Sequence, residues 1–365
     1  MIVPPVVRVV TLIAALVVIP LSPAGVSAGR PRQGTPAVPR PATPDSGPRT
    51  ADPGNTPAAP GHLVLAVVRN DGILLPFAAF NGRKWSAPWP FLQRNFGPTT
   101  IELPVNLASV PRDWWGGKEP GAWRLWPSQS GTPRPLTLST PAMIRIGLTR
   151  QIGFRTDQPP VLPPVPPFEM PFPKIGIAVA GDTPVTPIAS VSLLSARWKT
   201  FAGTLLADIN KAEDRTLSAI GVSTNWRHPV KREVRAEVPP ELEAWYVTPV
   251  GTGDQQLSYV EAVKKYPLQP EDEGCGLETV VSGWVHHDGA QRQKPRTTLK
   301  AVVTYCDRRG VSYMLPFGQM RVNDRDHWIV QMSGRDHEWY AVIEAAADRV
   351  RYVAEFQAGS VPLPR

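Results

Sequence analysis

Cysteine is scarce in this sequence. The 365 residues include only two cysteines, Cys275 and Cys306. The two do not form a C-x-x-C pair, so the sequence excludes a zinc ribbon and a thioredoxin-type redox motif. No cysteine precedes Cys275. A lipid-modified amino terminus, which requires a cysteine just after a signal peptide, is therefore also excluded.

Motifs for known catalytic chemistry are missing as well. There is no G-x-S-x-G nucleophile elbow, and residues 251–253 (Gly-Thr-Gly) lack the third glycine of a dinucleotide-binding loop. Residues 115–118 (Trp-Gly-Gly-Lys) lack the first glycine of a phosphate-binding loop. The His-Glu pair at 337–338 is not followed by the second histidine of H-E-x-x-H. The sequence therefore predicts no cofactor and no metal site, and favours a protein that is not an enzyme.

Blocks of basic residues and long apolar runs are absent after the amino terminus. The formal net charge is +8, and the basic excess is spread along the sequence. Such a distribution suits weak attraction to anionic polymers or lipid surfaces, but it is not the basic arm of a nucleic-acid-binding protein. No later run approaches the roughly 18 apolar residues of a membrane-spanning helix. We expect no nucleic-acid partner and, after signal cleavage, no stable membrane insertion.

Residues 1–28 have the pattern of a secretory signal peptide. One positive charge at Arg8 precedes an apolar run over 9–21, and Val26-Ser27-Ala28 supplies small residues before a cleavage point. Pro20 interrupts the run, which favours a cleaved signal over the alternative, an uncleaved anchor. The sequence therefore predicts an extracytoplasmic protein, either periplasmic or secreted.

Proline-rich stretches divide the remainder of the chain. Residues 29–60 contain nine prolines and hardly any large apolar residue, which predicts a disordered linker. A second proline cluster over 157–173 favours polyproline II structure and predicts an interdomain linker. Two domains follow from this division: a small Trp-rich β domain over 61–156 and a β-dominated domain over 174–358. Residues 359–365 are a tail.

The carboxyl-terminal domain has the clearest strand pattern. Apolar and polar residues alternate over 311–317, 328–332 and 350–356, which is typical of half-buried strands. Three further runs, over 277–285, 299–306 and 338–344, complete six strands with short connections. The fold class is therefore predicted as mainly β, with an antiparallel, sandwich-like meander over 275–356.

One or two short helices accompany these strands. Phe201, Leu205, Ile209 and Ala212 recur at helical spacing and predict an amphipathic helix. A second, shorter helix is predicted over 257–265. Both are expected to pack on the sheet.

The two cysteines fit the predicted strand register. If 277–285 pairs with 299–306 around a turn near Gln291, Cys275 lies opposite Cys306, within reach of a disulfide. An oxidising compartment outside the cytoplasm would allow the bond to form. The alternative is two buried free thiols.

Charged residues collect at both ends of the predicted meander. One set resembles metal ligands, but its strands would be about 14 Å apart, so we interpret it as solvated turn residues: His286, His287, Asp288, Asp326 and His327. The other set could place a base beside an anion clamp; its alternative role is a salt-bridged rim. It contains Asp307, Arg308, Arg309, Asp336, His337 and Glu338.

Tryptophan is abundant, with twelve in the chain. Trp85, Trp89, Trp114 and Trp115 fall in the small first domain, where exposed indoles would stack on sugar rings and buried ones would fill the core. The sequence thus leads to a non-enzymatic binding protein for a partner protein or an envelope polysaccharide. The alternative is a hydrolase with a site near Asp307 and His337, assisted by Glu338 and Arg309, and it requires a polar pocket beside those residues.

Overall fold

The computed structural model describes residues 62–86, 103–104, 106, 122–127, 132–146, 149–159, 174–181, 183–251, 254–266, 276–289, 294–334 and 337–360. The predicted signal peptide (1–28), the proline-rich segment 29–60 and residues 160–173 of the second linker lie outside these ranges. Residues 361–365 of the predicted tail do so too. The described residues belong to one compact unit.

The fold is mainly β, as predicted, with antiparallel sheets and two helices in the described part of the chain. The first sheet has the order β4-β7-β8-β2-β1-β9-β5-β6, with β3 paired to β2. Its strands are β1 (Leu63–Arg69), β2 (Ile73–Phe80), β3 (Trp85–Ser86), β4 (Leu103–Pro104), β5 (Trp123–Pro127), β6 (Arg134–Leu136), β7 (Leu138–Ile146), β8 (Thr149–Thr156) and β9 (Lys174–Ala180).

The β1–β2 hairpin shows why this sheet is buried on both faces. Every residue of both strands is buried, and successive side chains point to opposite faces of a strand. Leu65 and Val67 join one apolar core, whereas Val64 and Ala66 join another. The turn between the strands uses Gly72, whose φ of 80° favours glycine.

Strand β9 returns the chain to the first sheet. The sequence predicts a second domain over residues 174–358, yet β9 lies between β1 and β5 and pairs with both. Its residues 176–180 are buried, so the strand needs neighbours on both sides. Residues 174–180 therefore contribute to the sheet formed by residues 61–156, and the other two sheets begin after them.

The second and third sheets contain the strands predicted over 275–356. The second sheet has the order β10-β11-β12-β13-β14 and the third the order β15-β16-β17-β18. Their strands are β10 (Ala189–Ser190), β11 (Glu241–Pro249), β12 (Gln255–Tyr266), β13 (Leu277–Asp288), β14 (Arg296–Tyr305), β15 (Tyr313–Val322), β16 (Arg325–Ser333), β17 (His337–Ala345) and β18 (Val350–Ser360).

The six predicted strands do not form one continuous meander. Strands β13 and β14 pair within the second sheet, and β15 to β18 pair consecutively in the third. The connection between β14 and β15 contains two residues with left-handed backbone, Arg308 (φ 51°) and Gly310 (φ 79°). These turns redirect the chain, so β15 starts a new sheet.

The two helices are α1 (Ala196–Thr224) and α2 (Arg232–Glu237). The predicted amphipathic helix is confirmed, and at 29 residues α1 is long rather than short. Phe201, Leu205, Ile209 and Ala212 are all buried against the second sheet, where they meet Val260 and Leu299 among others.

The helix predicted over 257–265 is wrong, because these residues form part of strand β12. Residues 257–264 are all buried. Val260 and Ala262 pack beneath α1, whereas Leu257 and Tyr259 pack toward the third sheet. A strand covered on both faces has no polar alternation, so its apolar run cannot be told from a buried helix by periodicity.

The third sheet lies between the first and second sheets. In β17, Tyr340 and Val342 join the core shared with the first sheet. Ala341 and Ile343 join the core shared with the second sheet. The order of layers is therefore α1, second sheet, third sheet and first sheet.

A buried ion pair joins the first and third sheets. Lys174 Nζ of β9 lies 2.8 Å from Glu338 Oε1 of β17, and their side chains are 5% and 0% exposed. The hydroxyl of Tyr340 also donates to Glu338. Burial lowers the pKa of Lys174 to about 8, although Glu338 partly opposes the shift. Breaking such a pair leaves a buried charge without its partner.

We expect Lys174→Met to lower the free energy of unfolding by about 3 to 5 kcal/mol, because Glu338 would lose its compensating charge. The double variant Lys174→Met/Glu338→Gln should recover most of this loss, since glutamine still accepts from Tyr340. Urea unfolding measures both. The exposed pair Lys265 and Glu241 supplies the control Lys265→Met, which should change the free energy of unfolding far less, because solvent screens exposed charges. Equal losses in the single and double variants would contradict the ion-pair role.

A buried carboxyl group joins the second and third sheets. Glu261 of β12 is 3% exposed, and its Oε1 accepts the backbone N–H of Met314 of β15 at 2.6 Å. Burial, reinforced by Glu243 and opposed by this hydrogen bond, raises the pKa of Glu261 to about 7. The folded protein therefore holds a proton that the unfolded chain releases near pH 4.5. This group's contribution to stability falls as the pH rises from about 4.5 to 7.

Glu261→Gln should remove that contribution while keeping an acceptor for Met314. We expect the variant to exceed the parent in free energy of unfolding by about 2 to 3 kcal/mol at pH 8, and by less at pH 5. Urea unfolding across this pH range measures the difference. Glu241→Gln, at an exposed position of β11, is the control for the loss of one carboxyl group. A slope that is the same in the parent and in Glu261→Gln would refute the assignment.

Candidate functional site

The residues of the alternative hydrolase site take part in separate interactions. Arg309 and Asp307 form an ion pair of 2.8 Å with side chains 73% and 39% exposed. Glu338 belongs to the buried pair with Lys174. The ring of His337 stacks on Trp339 at 5.0 Å. Asp336 lies outside the described residues. The hydrolase site thus stays a prediction.

Arg308, from the same predicted set, forms hydrogen bonds with three strands. Its Nε donates to Glu278 at 2.8 Å and its Nη2 donates to Glu243 at 2.8 Å. Its Nη1 donates to the hydroxyl of Tyr313 at 2.6 Å. These bonds connect β11 and β13 of the second sheet to the first residue of β15. The arginine therefore fixes the point where the chain passes between sheets.

The three histidines of the predicted turn set are buried, so their interpretation as solvated residues is wrong. His286, His287 and His327 are 9%, 3% and 3% exposed. The strands are longer than predicted, which places these residues inside β13 and β16. His287 Nε2 contacts Ser258 Oγ at 2.8 Å, and the ring of His327 packs on Trp85 at 5.5 Å. In the described ranges, no group of three His, Cys, Asp or Glu side chains has the arrangement of a metal site.

Trp85 is the predicted binding residue that the structure describes; Trp89, Trp114 and Trp115 lie outside the described ranges. Its indole contacts the rings of Phe80 and His327, at 5.2 Å and 5.5 Å. The indole Nε1 is buried and has no hydrogen-bond partner within the described part of the chain. An indole N–H is a donor only, so this group has no acceptor among the described residues.

A cleft of about 500 Å³ lies beside Trp85, between the β2–β3 turn and the third sheet. Its lining residues are Phe80, Arg83, Lys84, Trp85, Val322, Asn323, Arg325, His327, Glu344, Arg351, Tyr352 and Val353. Four of these are Lys or Arg and one is Glu, which gives the lining a net charge of +3. We call this feature the Trp85 cleft.

Glu344 holds the arginines of the Trp85 cleft in place. Its carboxylate lies 2.6 Å from Arg351 and 3.2 Å from Arg325. Burial raises the pKa of Glu344, but the hydrogen bonds from the two arginines outweigh it and leave the pKa below its usual range. The carboxylate therefore stays ionised, and each guanidinium keeps further N–H donors for an anion, since arginine has five. Because Glu344 is engaged in this way, it is not a free general base.

Two turns contribute residues to the lining of the cleft. In the β2–β3 turn, Asn81 Oδ1 accepts the backbone N–H groups of Arg83 and Lys84 at 3.1 and 3.0 Å. In the β15–β16 turn, Asn323 has a left-handed backbone (φ 50°), and its Nδ2 donates to the carbonyl of Gly82 at 3.2 Å. The two turns are thus bonded to each other, which positions the basic side chains.

Most residues of the Trp85 cleft carry no signal in the sequence. The Asn-Gly pair at 81–82 is a hairpin signal, and it could have drawn attention to Arg83 and Lys84 directly after it. No comparable signal marks Glu344 and Arg351, which come from another sheet. Two more cavities, of about 690 and 510 Å³, lie along α1. None of the three cavities is lined by the predicted hydrolase residues.

Comparison of this chain with models of protein families, with curated proteins and with solved structures finds no match. Among the described residues, neither helix combines the length and apolar character needed to cross a membrane. The chemistry of the Trp85 cleft is the available guide to function. Its fixed cations, aromatic rings and donors suit the binding of an anion.

Proposed function

We propose that this protein is an extracytoplasmic, non-enzymatic binding protein, and that the Trp85 cleft binds an acidic polysaccharide of the cell envelope. The observation that carries the proposal is the cleft's net charge of +3 beside two aromatic rings, those of Trp85 and Tyr352. Aromatic faces stack on sugar rings, whereas arginine pairs with carboxylates in two parallel hydrogen bonds.

The composition of the cleft favours an acidic over a neutral polysaccharide. Arg325 and Arg351 are 58% and 56% exposed although both contact Glu344, so their remaining donors are accessible. Arg83 and Lys84 add two exposed charges on the facing turn. A neutral sugar would use the aromatic rings but would leave these cations without an anion. A polymer of uronic acids would use both.

The proposal includes location and tethering. The signal peptide over 1–28 would direct export, and the proline-rich segment 29–60 would hold the folded part away from a surface as an extended tether. Segment 157–173 would act as a second, shorter linker. After signal cleavage the protein would be periplasmic or secreted, where envelope polysaccharides are accessible.

A disulfide between Cys275 and Cys306 fits this location. Strand pairing extends to Leu277 opposite Tyr305, and a straight continuation puts Gly276 opposite Cys306. Cys275 lies outside the described residues. The disulfide therefore stays a prediction, which the oxidising compartment would favour.

We expect the exported protein to contain no free thiol by mass spectrometry. Cys306→Ser should lower the free energy of unfolding by about 2 to 5 kcal/mol. Cys275→Ser should cause the same loss, and the double variant no more than either one, because the three share the loss of one bond. Calorimetry measures these changes. Two free thiols in the exported protein, or additive losses, would show that the cysteines act separately.

The polysaccharide proposal predicts binding of polygalacturonate, a polymer of uronic acid, and much weaker binding of neutral dextran. Arg83→Gln/Lys84→Gln should weaken polygalacturonate binding about tenfold or more, because it removes two charges from one wall of the cleft. Isothermal titration calorimetry at 0.15 M salt gives the affinities.

The matched control is Lys294→Gln/Lys300→Gln, which removes the same charge at exposed positions outside the cleft lining. It should change the affinity less than twofold. If both double variants lose the same affinity for polygalacturonate, the loss is due to the net charge of the protein, and the cleft is rejected as the binding site. Equal affinity for dextran would reject the acidic polymer.

A further inference from the structure

A second basic surface follows helix α1. Two cavities, of about 690 and 510 Å³, share Asp214, Ser218 and Arg232 and are therefore adjacent along the helix. The larger part lies between the carboxyl-terminal half of α1, the loop over 225–231 and α2. We call it the α1–α2 groove. It shares no lining residue with the Trp85 cleft.

The α1–α2 groove is strongly positive. Asp214 is the one acidic residue in its lining. The lining includes six basic residues, namely Lys211, Arg215, Arg227, Lys231, Arg232 and Arg235. The net charge of the lining is therefore +5, in a chain whose total is +8. Such a concentration attracts an anionic partner over distances of about 8 Å at physiological salt.

Asp214 of α1 accepts hydrogen bonds from two arginines of α2 and so connects the two helices. Its Oδ1 accepts from Arg235 at 3.0 Å and its Oδ2 accepts from Arg232 at 2.8 Å. Arg235 also donates to the carbonyl of Val230 at 2.8 Å. The acid therefore orders two arginines and the loop. Arg227 and Lys231 are exposed at the groove.

A buried network fixes the floor beneath these residues. Glu213 is 1% exposed and accepts from Lys264 Nζ at 3.1 Å. It also accepts from the hydroxyls of Tyr266 and Thr279, at 2.5 and 2.7 Å. These bonds connect α1 to β12 and β13. The groove is therefore anchored to the second sheet.

His228 lies in the lining of the groove. Its ring lies 4.9 Å from Tyr266 and 5.9 Å from Trp226. Its Nδ1 lies 3.0 Å from the backbone nitrogen and 3.2 Å from the carbonyl oxygen of Val230. Its Nε2 is buried with no hydrogen-bond partner in the described part of the chain. The imidazole therefore adds a ring beside Trp226 on the apolar side of the groove.

Apolar residues in the groove distinguish a peptide from a sugar or a free anion. Leu217, Val222 and Trp226 line it, and Val222 is 89% exposed. From Lys211 to Val222 the helix spans roughly 17 Å at 1.5 Å per residue. An extended peptide of about five residues covers this distance. Peptide side chains alternate, so acidic and apolar ones can face different walls.

We propose that the α1–α2 groove binds an extended acidic segment of a partner protein, of about five residues, with glutamates or aspartates beside apolar side chains. The charge of the lining, its apolar residues and its length support this occupant. The proposal does not depend on polysaccharide binding in the Trp85 cleft.

The test uses the full exported protein and a fluorescein-labelled octapeptide of alternating glutamate and leucine. Fluorescence anisotropy should detect its binding, and the matched peptide with glutamine for glutamate should bind at least tenfold more weakly. Arg227→Gln/Lys231→Gln should weaken binding of the acidic peptide tenfold or more. Both side chains are exposed, so the circular dichroism melting curve should be unchanged.

Arg83→Gln/Lys84→Gln is the matched control, because it removes equal charge from the Trp85 cleft. It should change the affinity for the acidic peptide less than twofold. Because it alters only the Trp85 cleft, failure of the peptide proposal can be distinguished from failure of the polysaccharide proposal. Peptide binding that is insensitive to the groove variant would overturn the inference. So would loss of polygalacturonate binding in that variant, or displacement of the peptide by equimolar inorganic phosphate, since these results would identify a polymer site or a simple ion site.

Discussion

The burial of the third sheet on both faces is the constraint on which the structure depends. In β16, Ile329 faces the core shared with the first sheet, whereas Trp328 and Val330 face the core shared with the second. A sheet covered on both sides cannot form without both neighbours, since each apolar face would otherwise meet water. The Lys174–Glu338 pair on one face and Glu261 on the other lie at these two contacts. The folding of the three sheets is therefore coupled.

The same constraint explains what the sequence could and could not predict. Alternation identified strands such as 311–317 and 350–356, because part of each remains exposed. It failed over 257–265, where both faces are covered. The assignment of β9 depended on a sheet formed by distant residues, and the separation of β15 from β14 depended on positive φ at Arg308. Neither is encoded in a local pattern.

The Trp85 cleft could be predicted only in part for a related reason. Trp85 was accessible to sequence reasoning because tryptophan is an uncommon residue with a known binding chemistry. The residues around it come from the β2–β3 turn, the β15–β16 turn and β18, which are far apart in sequence. Glu344 and Arg351 look like ordinary strand-end charges until the third sheet packs on the first. Proximity across layers, rather than spacing along the chain, creates the site.

The distribution of charge changes how the basic composition should be understood. The Trp85 cleft and the α1–α2 groove together carry a net charge of +8, which equals the net charge of the whole chain. The basic and acidic residues in the rest of the chain are therefore equal in number. The sequence suggested a diffuse excess suited to weak, nonspecific attraction, but exposed charges further apart than about 10 Å are largely screened at 0.1 M salt. Concentration in two concave surfaces, each with fixed arginines and aromatic rings, instead favours two specific anionic ligands.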